Sequence, residues 1–175
     1  MLYLAYNQGV RTIYCTSHNG YEKDDINKYK AQFMLLKTMA KARFPDLKLY
    51  MGCEILCAGE YIDEIIYGLE TGVFLPLEDT KFVLTEFYPD VTPSESKKIV
   101  TELSNNGWMP IIAHAERYHK LFDGKTFKEL MAKGARIQIN MFSLDDETNE
   151  SIKSCARYLV KNKYAHYIGS DAHRS

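Results

Sequence analysis

Cysteine is scarce in this chain: 175 residues hold four, Cys15, Cys53, Cys57 and Cys155, with no C-x-x-C pair. That excludes a disulfide-stapled secreted scaffold and a thiolate metal cage, and leaves reduced, buried packing thiols as the expectation. Arginine is missing six positions after every cysteine, where Tyr21, Gly59, Asp63 and Lys161 stand instead, so a cysteine-centred phosphate loop is absent. Neither a G-x-x-x-x-G-K-S/T nucleotide loop nor a G-x-S-x-G nucleophile elbow occurs. An excess of charge is also missing: 22 Lys and Arg stand against 23 Asp and Glu, a net −1, which argues against nucleic acid or an anionic membrane surface as partner. No apolar run approaches the roughly 18 residues of a membrane span. The N-terminus carries no basic segment followed by an apolar stretch and a small-residue cleavage site, so the expected location is cytoplasmic. Repeats and Pro/Ser-rich linkers are lacking too, so residues 1–175 read as one domain.

What is present is ordinary globular composition, 46% hydrophobic and 26% charged, arranged with a recurring punctuation. A helical pattern ends at Gly or Asn, a short apolar run follows, and the run ends in a polar residue. Asn7-Gln8-Gly9 leads through Val10–Cys15 to His18, Asn105-Asn106-Gly107 through Trp108–Ala113 to His114, and Lys133-Gly134 through Ala135–Ile139 to Asn140. Glycine in each case suits a left-handed helix end. Lys161-Asn162-Lys163 into Tyr164–Ser170 and Asp171 repeats the pattern, and Leu47–Met51 and Lys81–Thr85 add strands before Glu54 and Glu86. Between them, Ile26, Tyr29, Phe33, Leu36 and Ala40 mark one apolar stripe from about Asp24 to Arg43. Thr92-Pro93-Ser94-Glu95 reads as a capping box with proline at the first helical position, and Thr126 with Glu129 as a second box. Ile152, Cys155, Ala156, Leu159 and Val160 form the expected inward face of the last helix.

Alternating helices and short strands predict an α/β fold with a parallel sheet, and a barrel accounts for the polar residues better than an open sheet. In such barrels the reactive groups gather where the strands end. His18, Glu54, Glu86, His114, Asn140 and Asp171 all fall at or near expected strand ends, and Asp171-Ala172-His173 can turn a carboxylate and an imidazole to the same side. Nitrogen and oxygen donors without thiolates suit Mn²⁺, Fe or Zn²⁺ better than Ca²⁺ or a structural zinc site. His119 and His166 lack the spacing and are expected to be structural.

The blocks Thr16-Ser17-His18, Gly52-Cys53-Glu54, Glu86-Phe87, Ala113-His114-Ala115-Glu116-Arg117-Tyr118 and Gly169-Ser170-Asp171-Ala172-His173, in this order, resemble the PHP-superfamily tyrosine-protein phosphatases of bacterial capsule and exopolysaccharide operons, the CpsB/CapC type. The resemblance implies a distorted (β/α)7 TIM-like barrel, a cluster of divalent metals with Mn²⁺ foremost, and hydrolysis of phosphotyrosine on the tail of a cognate tyrosine kinase. It implies His18, Glu54, Glu86, His114, Asp171 and His173 as metal ligands and Arg117 as the catalytic, phosphate-contacting residue. Two alternatives stay open: a PHP-type phosphoesterase acting on a small monoester such as histidinol phosphate, and a catalytically impaired fragment that binds phosphoproteins. Family members begin with a strand carrying His-x-His, which this chain does not show, so the expected barrel lacks its first strand and the domain is expected to be incomplete at both termini.

Overall fold

In the computed structural model the described residues are 2–19 and 26–172. Helices and strands alternate: α1 (Leu2–Asn7), β1 (Thr12–Asn19), α2 (Ile26–Arg43), β2 (Lys48–Cys57), α3 (Ile62–Thr71), β3 (Phe82–Phe87), α4 (Pro93–Asn105), β4 (Met109–Ile112), α5 (Thr126–Ala132), β5 (Arg136–Asn140), α6 (Glu150–Lys161) and β6 (Tyr167–Gly169). All neighbouring strands are parallel, and their spatial order is their chain order, β1 to β6. A parallel sheet whose order never reverses curls in one direction, unlike a doubly wound sheet. The result here is an α/β half-barrel of six strands.

Strand periodicity decides which residues face which way. Along β3, Val83, Thr85 and Phe87 are buried while Phe82, Leu84 and Glu86 are half-buried on the opposite face. The helices close over the first face. Ile55, Val83, Ile99, Leu103, Ile112, Leu130, Ile137 and Leu159 are all fully buried there. A second, smaller cluster of Phe33, Ala40, Phe44, Leu47 and Leu49 packs α2 against β1 and β2, with Leu2 and Tyr6 of α1 at its margin. Tyr29 of α2 packs against the larger core, and its Oη donates to the carbonyls of Cys15 at 2.7 Å and Gly52 at 2.9 Å.

All three glycines expected to close helices have positive φ, +92° at Gly9, +79° at Gly107 and +104° at Gly134. At the fourth junction the left-handed residue is Lys163, at φ +60°, and not Asn162. The α2 stripe holds at Phe33 and Ala40, but Leu36 between them is 37% exposed. The expected start of α2 at Asp24 lies outside the described residues.

Two capping expectations are altered by long-range partners. Thr92 Oγ1 does accept from the Glu95 amide at 3.2 Å with Pro93 next in chain, yet the Glu95 carboxylate accepts from the Gly59 amide at 3.2 Å. Its side chain joins α4 to the β2–α3 turn. At α5, Thr126 is capped by Asp123: Oδ1 accepts from the amides of Thr126 at 2.7 Å and Lys125 at 3.0 Å, and Oδ2 from the Thr126 hydroxyl at 2.7 Å. Glu129 instead pairs with Lys97 at 2.7 Å. On α6, Cys155, Ala156 and Leu159 are buried as expected, but Val160 is 46% exposed and Lys153 is buried. Lys153 lays its stem on the core and sends its ammonium to Asp146 at 2.5 Å.

The Asp123 bonds to Thr126 and Lys125 hold its carboxyl down at about 2. A carboxyl lowered below its unfolded value stabilises the fold above pH 4 and loses that contribution as pH falls through 2. Asp123→Ala is therefore expected to cost about 1 kcal/mol at pH 7 in urea unfolding. The difference from wild type should shrink as pH falls through 2, and Asp123→Asn should keep the part of the cap that does not need the charge.

Candidate metal centre

The register of the parallel strands brings distant residues together. His18 lies directly beside Glu54 in the β1–β2 pairing. Glu54 pairs with Leu84 and Leu56 with Glu86, so Glu54 and Glu86 point from the same face. One donor atom from each of His18, Glu54 and Glu86 lies within 4.8 Å of the others. His114 joins them: its Nε2 is 2.9 Å from Glu54 Oε1 and 3.5 Å from Glu86 Oε1, while His18 Nε2 is 3.8 Å and 4.0 Å from the second oxygens of the same carboxylates. Glu54 is not at a strand end, as expected from sequence, but three residues inside the ten-residue β2. Register still sets it level with its neighbours, since it pairs with His18 and Glu86 lies opposite Leu56, two residues further along β2.

Charge in this cluster is unbalanced toward anions, and the titration behaviour follows. Burial pulls the His114 imidazole down, but hydrogen bonds to Glu54 and Glu86 and the Glu54 charge outweigh it, raising its pKa to about 9. The same His114 hydrogen bond holds Glu86 below the usual carboxylate range, helped by the His18 charge. Two carboxylates and two imidazoles, converging where Glu54 and His114 are buried and His18 is half exposed, form a donor set suited to a divalent cation.

His114 sits just after β4 at φ +33° and Asp171 just after β6 at φ +48°, a left-handed backbone costly for side-chain-bearing residues. From this position the His114 ring reaches Glu54 and Glu86, and its amide donates to Gln138 Oε1 at 3.2 Å. Asp171 stands beside the three-residue cluster and not within it. Its Oδ2 accepts from Arg117 Nη2 at 2.6 Å and from Asn140 Nδ2 at 2.8 Å. Its charge nevertheless reaches Glu86, as that of Arg117 reaches His114. Arg117 is half exposed in a 3-10 turn, Ala115–Arg117. His173 lies outside the described residues.

Three contributors escape a reading of the sequence by residue type. Gln138 precedes Asn140 by two along β5 and shares its face; its Nε2 donates to Asn140 Oδ1 at 3.0 Å. Gly169 of β6 leaves room for that amide, since a Cβ there would lie 2.1 Å from Gln138 Nε2. Glu116 is fully buried and accepts from the Asn140 amide at 3.0 Å and the Ser143 hydroxyl at 2.5 Å, so it anchors β5 and does not pair with Arg117. The period-two spacing of Gln138 and Asn140 is the one signal that could have shown any of these. His166 is structural, its amide donating to Ile137 O at 2.8 Å and its Nδ1 accepting from Ile137 N at 3.2 Å just before β6. His119 is exposed in a separate 3-10 turn.

With this geometry in place, similarity to known proteins can be weighed. Residues 1–175 match the family described as capsular polysaccharide synthesis, CpsB/CapC. The chain belongs to the CpsB/CapC family. Among its relatives, the tyrosine-protein phosphatase YwqE of Bacillus subtilis is 33% identical over 173 residues, covering 97% of this chain and 66% of YwqE. The tyrosine-protein phosphatase CpsB of Streptococcus pneumoniae is 32% identical over 180 residues, covering 97% and 71%. CapC of Staphylococcus aureus is 30% identical over 176 residues, covering 99% and 68%. This CpsB/CapC chain thus spans about two thirds of the length of those relatives. A solved structure from the work on YwqE and CpsB, described as unique metal-dependent tyrosine phosphatases, superposes with a TM-score of 0.82 at 31% identity, over 99% of this chain and 70% of that one.

Proposed function

We propose that this chain is a metal-dependent protein-tyrosine phosphatase, acting on phosphotyrosine in the tail of a bacterial tyrosine kinase that controls capsular or exopolysaccharide synthesis. The observation that carries this reading is the convergence of His18, Glu54, Glu86 and His114 on one mouth of the half-barrel, with Arg117 beside them. Family membership and relatives named as tyrosine-protein phosphatases support it. The finer architecture is the distorted (β/α)7 barrel of the PHP type.

His18, Glu54, Glu86 and His114 would hold divalent metal, Mn²⁺ first, with Asp171, which borders the cluster, and His173 as further ligands. Bound there, divalent ions supply Lewis-acid charge to phosphoryl oxygens and acidify water to a nucleophile at neutral pH. Arg117 supplies a planar cationic fork for the non-bridging phosphate oxygens. In its pair with Asp171 the arginine side is half exposed, so the guanidinium can turn to an arriving dianion. Asn140 keeps Asp171 in place when it does. An aryl oxide leaves readily, which reduces the need for a general acid.

A thiolate nucleophile has no support in the structure. Cys53, Cys57 and Cys155 are buried, and burial pushes the Cys57 thiol far up and that of Cys155 up to about 12. Four free cysteines suit a reducing compartment, and no helix among the described residues is long and apolar enough to cross a membrane. A cytoplasmic location fits both.

The test compares a phosphotyrosyl peptide with histidinol phosphate in added Mn²⁺. Phosphate release from the peptide, abolished by chelation and well above that from histidinol phosphate, is the expected result. Preference for histidinol phosphate, or peptide binding without release, would replace this reading by one of its alternatives.

A further inference from the structure

Tyr118 is the largest fully buried side chain among the described residues, 1% exposed, and it lies directly behind the metal-type donors. Its Oη accepts from the Phe87 amide at 2.9 Å and lies 3.4 Å from His114 Nδ1. Phe87 is the residue immediately after Glu86. A single hydroxyl therefore touches the imidazole of one donor, which follows β4, and the backbone next to another, in β3. The ring is wedged in place, 5.3 Å from the Phe87 ring and 5.8 Å from that of His114.

The chemistry of the contact suits an orienting role. His114 Nε2 faces the two carboxylates, so Nδ1 is the ring atom left to define its rotation. A phenol that accepts from Phe87 can still donate its own proton to Nδ1, or accept from Nδ1 when that atom is protonated. Burial raises the phenol above its ordinary pKa, so it stays neutral and acts as a hydrogen-bonding peg and not as a base. Groups of this kind set the ring angle and tautomer of a metal-binding histidine, and their loss weakens metal affinity by about 10- to 100-fold.

We propose that Tyr118 is a positioning residue that locks the His114 ring and the Glu86 end of β3 in one register for metal binding. The proposal rests on the metal-dependent reading above. Its main test is the Mn²⁺ dissociation constant of Tyr118→Phe by calorimetry, with no turnover required. That variant keeps the buried ring and removes only the hydroxyl; about 10- to 100-fold weaker binding with a native circular-dichroism spectrum is expected. Phe87→Leu serves as the counterpart, since it loosens packing around the same ring but keeps both hydrogen bonds, and Mn²⁺ affinity close to wild type is expected. Equal loss in the two variants, or unchanged affinity in Tyr118→Phe, would overturn the proposal.

A second readout is independent of metal. Nitrogen-15 NMR of the metal-free wild-type chain should show His114 Nδ1 hydrogen-bonded in a single ring state, and Tyr118→Phe should lose that signature. A wild-type Nδ1 without a hydrogen bond would sink the proposal whether or not the variant folds. Wild type that shows the bond but binds no Mn²⁺ would instead refute the metal-dependent reading.

Discussion

His114→Ala is expected to lose divalent metal and phosphatase activity together. The imidazole is the donor closest to both carboxylates, and the site without it keeps two acids and one half-exposed histidine. Metal affinity should fall by at least about 100-fold, more than the loss of an orienting neighbour would cause. Equilibrium dialysis with metal analysis, run beside peptide turnover, checks the two quantities separately. Retained metal with lost activity would move His114 from ligand to proton carrier. The metal-free protein offers a further check. His114 is raised from 6.5 to about 9 in the fold, so its ion contacts stabilise the metal-free chain fully below pH 6.5 and fade as pH rises through 9. Thermal melts of metal-free wild type should decline across that window, and those of His114→Ala should be flatter. Glu54 is nearly fully buried, so removing its cationic partner also lowers overall stability; Glu54→Gln in the same background should relieve that loss.

Arg117→Ala is expected to separate the two properties that His114→Ala removes together. The guanidinium contacts Asp171 and reaches His114 only through its field, with no donor atom of its own for a cation. Metal content should stay at the wild-type level while kcat/KM on a phosphotyrosyl peptide drops by about 10²- to 10³-fold, the usual cost of deleting a charged transition-state contact. Arg117→Lys should recover only part of the loss, because an ammonium cannot present two parallel donors to a phosphate. Asn140 still holds Asp171 in the variant, which limits collapse of the rim. Loss of metal in Arg117→Ala would mean that the arginine serves the site by steering Asp171 and not by meeting phosphate.

Both experiments turn on residues whose type and rough placement are readable from the chain alone. The Gly9, Gly107 and Gly134 helix ends, the period-two strands and the polar residue following each run are local features, governed by backbone sterics and by the alternation of side chains along a strand. Those rules act over a few residues, so they survive without knowledge of neighbours. They also account for where such readings go astray. Glu95 and Glu129 look like capping-box acids because the box is local; in the fold each finds a partner more than 30 residues away, Gly59 and Lys97. Val160 reads as inward from helical spacing but is 46% exposed, while Lys153 of the same helix is buried.

The amino-acid order by itself thus determined the alternating parallel architecture, the donor types and the residues that could form the centre. Tertiary structure decided which of them touch: His114 against Glu54 and Glu86, Asp171 against Arg117 and Asn140, and Tyr118 against Phe87. Periodicity specifies the face of an element from which a side chain projects, whereas contact depends on strand register and on the partners that buried polar groups find across the fold. Those are properties of the whole packed chain, and they give Glu116 an anchoring role that its place next to Arg117 does not suggest.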